Sequence, residues 1–392
     1  MRKIGVITVA RSDYGIYFPV LSSIQRDAQL DLCLIVSGMH LSPEFGLTVQ
    51  DIENDKFPIA AKVDMLLSSD RPVGISKSMG LGIIGFAEAY DRILPDILLV
   101  LGDRFEMMAA TLAALPFKIP VAHIHGGELS EGAFDDALRH AMTKLSHLHF
   151  VATDEYARRV LQLGEQAWRI TVTGAPGLDN LDTVRLLNSE EFEKKYNILI
   201  DQPPLLVTFH PVTLEFEQTR WQTGELLAAL DQFERPIIFT LPNADTKSRE
   251  IIQMITDFVG RKKLRWKFDN LGTQGYFSLM ALSAAMVGNS SSGIVEAPSF
   301  ELPVVNIGRR QQGRTRAANV IDVGYQREKI SHAIKKAISP EFNKKLRGMR
   351  NPYRSGNASK KIVQRLKEVD LSENLIVKRF HDVDVALPNE LS

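Results

Sequence analysis

The sequence is poor in the features that define several large protein classes. One cysteine, Cys33, occurs in 392 residues, which excludes an internal disulfide framework and a zinc site built from cysteines. Cys33 lies in an apolar run, so we expect it to be a small buried residue. No apolar run is long enough to span a bilayer and no signal peptide is recognisable. The predicted location is therefore the cytoplasm, without a membrane partner.

An excess of charge is lacking as well. Lysine and arginine total 47, and aspartate and glutamate total 47, which gives a formal net charge of zero. Binding to nucleic acids or membrane surfaces usually rests on excess positive charge, so neither partner is expected. Basic residues cluster locally at residues 261–267, which we interpret as a solvated face, and at residues 309–316, which suit a small anionic ligand.

Two common nucleotide-binding signatures are missing too. The sequence has neither a GxGxxG fingerprint after its first predicted strand nor a Walker A motif. This argues against a dinucleotide cofactor and against a P-loop nucleotidase. We therefore expect no cofactor, and we look for the chemistry among the side chains.

The hydrophobic pattern predicts two successive α/β domains. Short runs rich in valine, isoleucine and leucine, without alternation, are typical of strands covered on both faces of a parallel sheet. Helix-like segments separate them, and two of these, residues 85–94 and 105–115, end before a proline. The predicted strands are residues 4–9, 32–36, 97–101, 121–124, 148–152 and 170–173 in the first half, and 205–209, 237–241, 285–287 and 304–307 in the second.

The domain boundaries follow from the same pattern. A domain usually holds ~100–200 residues, so a chain of this length accommodates two. Residues 188–197 are polar and precede two prolines, which we interpret as a linker. We predict an N-terminal Rossmann-like domain over residues 1–187, a C-terminal Rossmann-like domain over residues 198–370, and a helix and tail over residues 371–392.

Polar clusters follow the predicted strands of the first half, where ligands bind in open parallel sheets. Paired carboxylates with separated pKa values are the usual acid and base in chemistry at C1 of a sugar, so Asp103 and Asp135 are candidates for proton transfer. The clusters are Arg11 and Asp13, Asp103 and Arg104, His125 and Glu128, and Asp135 and Arg139. His40 also follows a strand, but a lone loop histidine is more typical of a structural or solvated residue.

Structural alternatives stay open for each cluster. The segment from Arg11 is equally compatible with an anion site and with a simple helix cap by Ser12 or Asp13. Asp103 is also compatible with a helix cap, and residues 135–140 with surface ion pairs at helical spacing. A metal held by His123, His125 and Glu128 is a less favoured alternative.

The second half supplies residues suited to a diphosphate. Three serines, Ser290, Ser291 and Ser292, open a predicted helix that reaches Glu296, and backbone amides and hydroxyls there can cradle phosphate. Glu296 is a candidate for accepting hydrogen bonds from ribose hydroxyls. Candidate ligand residues at the other strand ends are His210, Asn243, Asp245 and Arg310, with Arg314 and Arg316 as further cations for phosphate oxygens.

The ordered set of motifs resembles the hydrolysing UDP-N-acetylglucosamine 2-epimerases of sialic-acid biosynthesis. It runs through nearly the whole chain as RSDY from residue 11, GDRF from 102, HIHGGE from 123, DDALRH from 135, HPVT from 210, PNAD from 242 and GNSSSG from 288. The resemblance implies a glycosyltransferase-B-type (GT-B) fold with a UDP-sugar in the cleft between the domains. It also implies no metal or other cofactor, and a homodimer or homotetramer.

The resemblance further implies a reaction and roles. UDP leaves C1 with loss of the C2 proton, giving a glycal; water then adds at C1 and a proton returns to the other face of C2. Asp103 and Asp135 resemble the catalytic carboxylates, with Glu128 nearby. The animal member of the family has a glutamate where this chain has His125, so either His125 or Glu128 is the third proton-transfer group. The positions that resemble UDP-sugar contacts are Arg11, Asp13, His40, Arg104, Arg139, His210, Asn243, Asp245, Ser290, Ser291, Ser292, Glu296 and Arg310.

The expected products are UDP and N-acetylmannosamine. One alternative keeps the reaction and changes the substrate to UDP-2,4-diacetamido-2,4,6-trideoxyglucose of the legionaminic-acid pathway. Two alternatives of another class are a GT-B glycosyltransferase and a non-catalytic UDP-sugar sensor.

Overall fold

Two parallel sheets organise the chain. A computed structural model describes residues 1–69, 71–243 and 245–383. It contains a seven-stranded sheet in the order β3-β2-β1-β4-β5-β6-β7 and a six-stranded sheet in the order β10-β9-β8-β11-β12-β13. In both sheets the strand order reverses beside the first strand, which creates the crevice where doubly wound domains bind ligands. The prediction of two Rossmann-like domains is confirmed.

The described elements alternate regularly. The strands are β1 Arg2–Thr8, β2 Leu30–Ser37, β3 Ile59–Val63, β4 Ile97–Leu101, β5 Val121–Ile124, β6 Leu148–Val151, β7 Ile170–Val172, β8 Leu205–Thr208, β9 Ile237–Thr240, β10 Arg265–Phe268, β11 Ala285–Gly288, β12 Val304–Ile307 and β13 Val320–Val323. The helices are α1 Arg11–Gln25, α2 Val49–Asn54, α3 Pro72–Ile93, α4 Phe105–Ala114, α5 Asp135–Leu145, α6 Asp154–Gln162, α7 Ser189–Tyr196, α8 Thr219–Leu230, α9 Ser248–Val259, α10 Gly272–Leu282, α11 Ser292–Val295, α12 Arg327–Ala337, α13 Pro340–Leu346, α14 Ala358–Glu368 and α15 Glu373–Ile376. No described helix is both long and apolar enough to cross a membrane.

The central strands are buried on both faces. Strand β4, with sequence ILLVL, is buried at every position, and β8 and β11 are buried throughout. Helices pack on each face because the strands carry apolar side chains in both directions. Cys33 lies in β2 as a buried free thiol, as predicted.

Three strands were not predicted, and all lie at sheet edges. Strands β3, β10 and β13 pair with one neighbour each, so polar residues interrupt their apolar pattern. Strand β10 also corrects the interpretation of residues 261–267 as a solvated face. Arg265 is buried, donates to the Phe258 carbonyl at 3.1 Å and forms an ion pair with Asp231.

The predicted linker at residues 188–197 is wrong. Those residues form α7, whose first turn is capped reciprocally by Asn188 and Glu191 at 2.9 and 3.0 Å. Phe192 is fully buried in a cluster with Leu206 of β8, so this helix belongs to the second domain. A polar helix with one buried face was mistaken for a linker because few of its residues are apolar.

The chain returns to the first domain at its C-terminal end. Ile362 and Leu366 of α14 are buried in the first core, where α14 packs on α1. The predicted boundary at residue 370 therefore assigned α14 to the wrong domain. The predicted helix over residues 371–379 is limited to α15, and residues 384–392 lie outside the described residues.

Candidate active site

The carboxyl ends of both sheets face each other across a crevice between the domains. Contacts between the two domains occur at the predicted motifs. Arg11 donates to the Leu241 carbonyl at 3.2 Å, Arg104 lies 3.6 Å from Asp245, and Arg314 lies 3.1 Å from Glu128. The motifs that follow the strands in the two halves are therefore brought together.

Asp103 is held by Arg139, which is buried beneath it. The Arg139 guanidinium forms an ion pair with Asp103 and also donates to the His125 carbonyl at 3.0 Å. The helix-cap alternative for Asp103 is not realised, since the cap position of α4 is Arg104. The Arg139 guanidinium is buried and is engaged by these partners and by the Ser130 hydroxyl, so it supports the site from below rather than contacting a UDP-sugar as predicted.

Asp135, at the start of α5, retains a proton near neutral pH. Burial raises its pKa to about 8, helped by the negative charges of Asp103 and Asp245 and opposed by Arg310 and Arg104. Asp135 is thus protonated beside Asp103, which is ion-paired. Two carboxyls in such different surroundings can act as an acid and a base. The surface ion-pair alternative describes Asp136 instead, which lies 3.5 Å from His140.

The loop after β5 holds two histidines in different surroundings. His123 is fully buried, with its ring nitrogens 2.7 Å from the Gly102 carbonyl and 3.2 Å from the Thr143 hydroxyl, and burial lowers its pKa to about 3. Because both nitrogens have protein partners, the geometry does not support a metal shared with His125. His125 has φ +64°, a left-handed conformation that costs free energy in a non-glycine residue and is typical of functional sites.

His125 and Glu128 form a buried pair. The His125 Nδ1 atom lies 2.6 Å from a Glu128 oxygen. Burial alone would raise the pKa of Glu128, but His125, Arg314 and Arg139 outweigh it and lower that pKa to about 2. Glu128 is therefore an anion that orients the imidazole. We call Asp103, Glu128 and Asp135 the acidic cluster.

Asp13 and His40 do not line the crevice as predicted. Asp13 accepts hydrogen bonds from the Ala10 and Val9 amides at 2.8 and 3.1 Å and so caps α1. His40 is fully buried, 2.9 Å from the Thr8 hydroxyl and 2.7 Å from the Thr48 hydroxyl. Burial lowers the pKa of His40 to about 3. Both residues hold the loops beneath the site.

Three arginines surround His210, and we call Arg11, Arg104 and Arg310 the arginine cluster. Burial, followed by the charges of Arg310, Arg104 and Arg11, lowers the pKa of His210 well below its usual value. The His210 backbone is fixed by Asn289, whose side chain bonds both its amide and its carbonyl, at 2.7 and 2.9 Å. A neutral imidazole among three cations is a site prepared for an anion with several negative charges.

The serine loop lies beside this cluster. Ser290, Ser291 and Ser292 are half-buried, while α11 extends only over Ser292–Val295, so its dipole is weaker than that of the longer helix predicted. Gly288 precedes the loop, and a Cβ there would lie 1.9 Å from the Thr208 carbonyl oxygen. Only glycine permits this approach of β11 to β8.

Glu296 faces the acidic cluster across the crevice. Burial raises its pKa to about 7, while the charges of His125 and Arg314 oppose the shift. Asn243 and Asp245 belong to the loop after β9, and Asp245 lies 4.0 Å from His210. Ala244 between them lies outside the described residues.

Two of the arginines predicted for phosphate binding have other partners. Arg314 inserts into the first domain and pairs with Glu128, and Arg316 forms an ion pair with Asp322. Arg310 keeps a crevice position, where it donates to the Asn289 carbonyl at 3.2 Å.

Sequence reasoning missed Tyr276 and Glu106. The Tyr276 hydroxyl lies among the side chains of Ser290, Ser292 and Thr208, and burial raises its pKa to about 12. Glu106 is buried and pairs with Arg104 at 3.0 Å, which fixes that guanidinium. A signal for Glu106 existed in the spacing of Arg104 and Glu106 after a strand, but Tyr276 sits in an apolar helix without one.

The fold and the site define the class: a two-domain α/β protein of the GT-B type with an acidic and a cationic cluster in its crevice. Solved structures agree on the fold. The UDP-GlcNAc 2-epimerase of Neisseria meningitidis bound to UDP-GlcNAc matches with TM-score 0.79 at 22% identity, over 93% of this chain and 99% of that one. The Staphylococcus aureus MnaA–UDP structure matches with TM-score 0.78 at 20% identity, over 94% and 96% of the two chains.

Sequence comparison identifies the family. A family model described as UDP-N-acetylglucosamine 2-epimerase matches residues 22–367. The GDP/UDP-N,N'-diacetylbacillosamine 2-epimerase (hydrolyzing) of Campylobacter jejuni is 39% identical over 97% of this chain and 99% of its own length. The UDP-N,N'-diacetylbacillosamine 2-epimerase (hydrolyzing) of Legionella pneumophila is 36% identical over 96% and 99%. The polysialic acid biosynthesis protein P7 of Escherichia coli is 35% identical over 98% and 98%. The chain belongs to the hydrolysing UDP-N-acetylglucosamine 2-epimerase family.

Proposed function

We propose that this enzyme hydrolyses UDP-2,4-diacetamido-2,4,6-trideoxyglucose with inversion at C2. The C1–oxygen bond to UDP breaks as a base removes the C2 proton, which gives a glycal. Water then supplies hydroxide to C1, and C2 gains a proton on its opposite face. The balance is one nucleotide sugar and one water consumed, and UDP and the free 2-epimeric sugar released.

One observation carries the proposal: the acidic cluster and the arginine cluster face the same crevice. Arg310 and Arg104 are close enough to Asp135 to lower its pKa, while burial and the charges of Asp103 and Asp245 raise it. A diphosphate held by the arginines would therefore place the attached sugar ring beside the carboxyls. Stabilising the departing diphosphate and moving the C2 proton are the two demands of the elimination.

The protonation states suggest a division of roles. Asp135 carries a proton near neutral pH and can deliver it. We propose Asp103, held in place by Arg139, as the base for the C2 proton. The second proton transfer, on the other face of C2, needs a group on the other side of the ring. The pair of His125 and Glu128 is the candidate, because the imidazole can carry the proton while the carboxylate orients it. We propose that Arg11, Arg104, His210, Ser290 and Arg310 contact the diphosphate.

The proposed sugar is chosen from the names of the most similar relatives reported above. The Campylobacter and Legionella proteins, whose names specify N,N'-diacetylbacillosamine, align over nearly their whole length. UDP-N-acetylglucosamine, with N-acetylmannosamine as product, is the second candidate. It is favoured by a Neisseria meningitidis relative named UDP-N-acetylglucosamine 2-epimerase, which is 33% identical over 86% of this chain.

The test is NMR of the purified protein in deuterated water with each sugar as its UDP and its GDP derivative. We expect UDP release, a free sugar with inverted C2 configuration, and one deuterium at C2. Higher kcat/KM for the 2,4-diacetamido sugar supports the first candidate, and higher kcat/KM for UDP-N-acetylglucosamine supports the second.

The same experiment separates the other classes of function. A glycosyltransferase releases no 2-epimer when only the nucleotide sugar is supplied, and a sensor binds it without releasing UDP. A returned UDP-linked epimer instead of a free sugar would identify a non-hydrolysing reaction. Each of these results contradicts the proposed function.

A further inference from the structure

The Glu128 carboxylate is shared between the two domains. One of its oxygens lies 2.6 Å from His125 Nδ1, within the same loop, and the other lies 3.1 Å from Arg314 of the second domain. The Glu128 and Arg314 side chains are only 2% and 7% exposed. Arg139 of the first domain lies farther away, 4.0 Å from the same oxygen, so the nearer arginine of this buried carboxylate comes from the second domain.

Arg314 also donates hydrogen bonds to two other groups of this loop. Its Nε donates to the Leu129 carbonyl at 3.0 Å, and Nη2 donates to the Ser130 hydroxyl at 3.3 Å. The same hydroxyl accepts from Arg139 at 3.3 Å, which links the contact to the support of Asp103. A planar guanidinium can serve these partners together, whereas a lysine ammonium cannot.

The segment around Arg314 fits the first domain closely. The Thr315 amide donates to the Tyr156 hydroxyl at 3.1 Å, and the Thr315 hydroxyl donates to Glu155 at 2.6 Å. A Cβ on Gly132 would lie 2.9 Å from the Arg310 backbone, and one on Gly313 would lie 2.7 Å from the Leu129 side chain. The two loops meet without spare room, so the contact between Arg314 and Glu128 depends on how closely the two domains approach each other.

We propose that Arg314 is a positioning residue supplied by the second domain, which holds Glu128 against His125 only in the closed enzyme. Domain closure thereby completes the proton-transfer pair. The proposal rests on the proposed function for its catalytic consequence. When the domains separate, Glu128 loses Arg314 and keeps only the more distant Arg139, so the carboxylate is held less firmly against His125 and orients the imidazole less well.

The charges around the pair set the direction of the pH effect. Loss of Arg314 raises the pKa of Glu128 from about 2, and it also removes a charge that opposes the raised pKa of Glu296. The first change moves the acid limb of kcat to higher pH, because Glu128 must be an anion to orient His125. The titratable and charged groups that face His125 or Glu128 are Arg139, Arg314, His123, Tyr156, Glu296 and Tyr353.

The test compares Arg314→Ala and Arg314→Lys with the unchanged chain. We expect kcat to fall on the order of 100-fold in both, as for loss of a proton-transfer group, and the acid limb of kcat to move to higher pH in Arg314→Ala. Guanidinium ion should restore kcat of Arg314→Ala with saturation, and methylammonium should not. A folded Arg314→Ala variant with unchanged kcat and acid limb overturns the proposal.

Arg249→Ala is the matched control, because Arg249 also crosses between the domains, to Glu44, but with a 46% exposed side chain. Guanidinium should not change its kcat.

A second readout is independent of turnover. In UDP-bound protein labelled with ¹⁵N-histidine, the His125 Nδ1 signal, assigned with His125→Gln, should shift in Arg314→Ala and stay in place in Arg249→Ala. An unmoved signal overturns the proposal even in an active enzyme. A shifted signal in a protein that releases no UDP supports the positioning role and refutes only the proposed function.

Discussion

The acidic cluster and the arginine cluster differ in how far their charges are compensated by neighbouring groups. In the acidic cluster, Asp103 and Glu128 have cations of their own in Arg139 and Arg314, and Asp135 carries a proton. The acidic cluster is therefore neutralised internally, with one proton available for transfer.

The arginine cluster is left with positive charge. Arg104 pairs with Glu106 and Asp245, but Arg11 and Arg310 donate to the carbonyls of Leu241 and Asn289. Neither of these two forms an ion pair within the part of the chain that the structure describes. The comparison indicates that one cluster is set to move protons and the other to bind an anion, so mutations in the two should affect different kinetic constants.

The largest effect should come from removing a proton-transfer carboxyl. Asp135→Asn and Asp103→Asn keep the shape of the side chain and remove its titration. We expect kcat to fall by about 10²–10⁴-fold in each, with the UDP dissociation constant nearly unchanged, because neither carboxyl is assigned to the diphosphate. Steady-state UDP release and calorimetric UDP titration measure the two constants. Loss of UDP affinity in both variants would erase the distinction between the clusters.

The next effect tests the arginine cluster. Arg310→Gln removes a cation without a carboxylate partner, so the UDP dissociation constant should rise roughly 10–100-fold, as expected for hydrogen bonds to a charged group at ~1.5–3 kcal/mol. Arg316→Gln is the control, since Arg316 pairs with Asp322 outside the cluster. Equal UDP affinity in the two variants contradicts the assignment of Arg310.

The sequence predicts those features of the two clusters that depend on contacts between residues near each other along the chain. Strands such as β4 were predicted because both faces are buried, while β10 and β13 were missed because edge strands carry polar residues. The motifs were found because ligand residues follow strand ends. Their orientation was not predictable. His40 is buried by contacts with Thr8 and Thr48, and Arg314 finds Glu128 far away along the chain.

A smaller effect concerns pH. If Asp135 must hold its proton for turnover, kcat should fall as pH rises through about 8. Asp245 is one of the charges that raise this pKa, so Asp245→Asn should move the alkaline limb of kcat to lower pH, by less than about one unit. A pH profile of kcat measures this limb. A limb that stays in place or moves upward in Asp245→Asn would show that another group sets it.

The smallest effect is expected at a solvent-exposed contact between the two domains. Arg249 donates to Glu44 through two bonds, of 2.6 and 2.8 Å, and the hydrogen bonds from Arg249 lower the pKa of Glu44. A depressed carboxyl pKa stabilises the fold above the unfolded pKa, and this contribution is lost as pH falls through the folded pKa. Because both side chains are about one-third exposed or more, solvent screens the pair. Glu44→Gln should therefore cost below about 1 kcal/mol at neutral pH and less in acid.

Chemical denaturation at the two pH values measures this difference, with Arg314→Ala as the contrasting variant, because breaking a buried pair costs ~3–5 kcal/mol. Equal losses in the two variants would mean that burial does not distinguish these two contacts between the domains, and the special role of Glu128 would lose its physical basis.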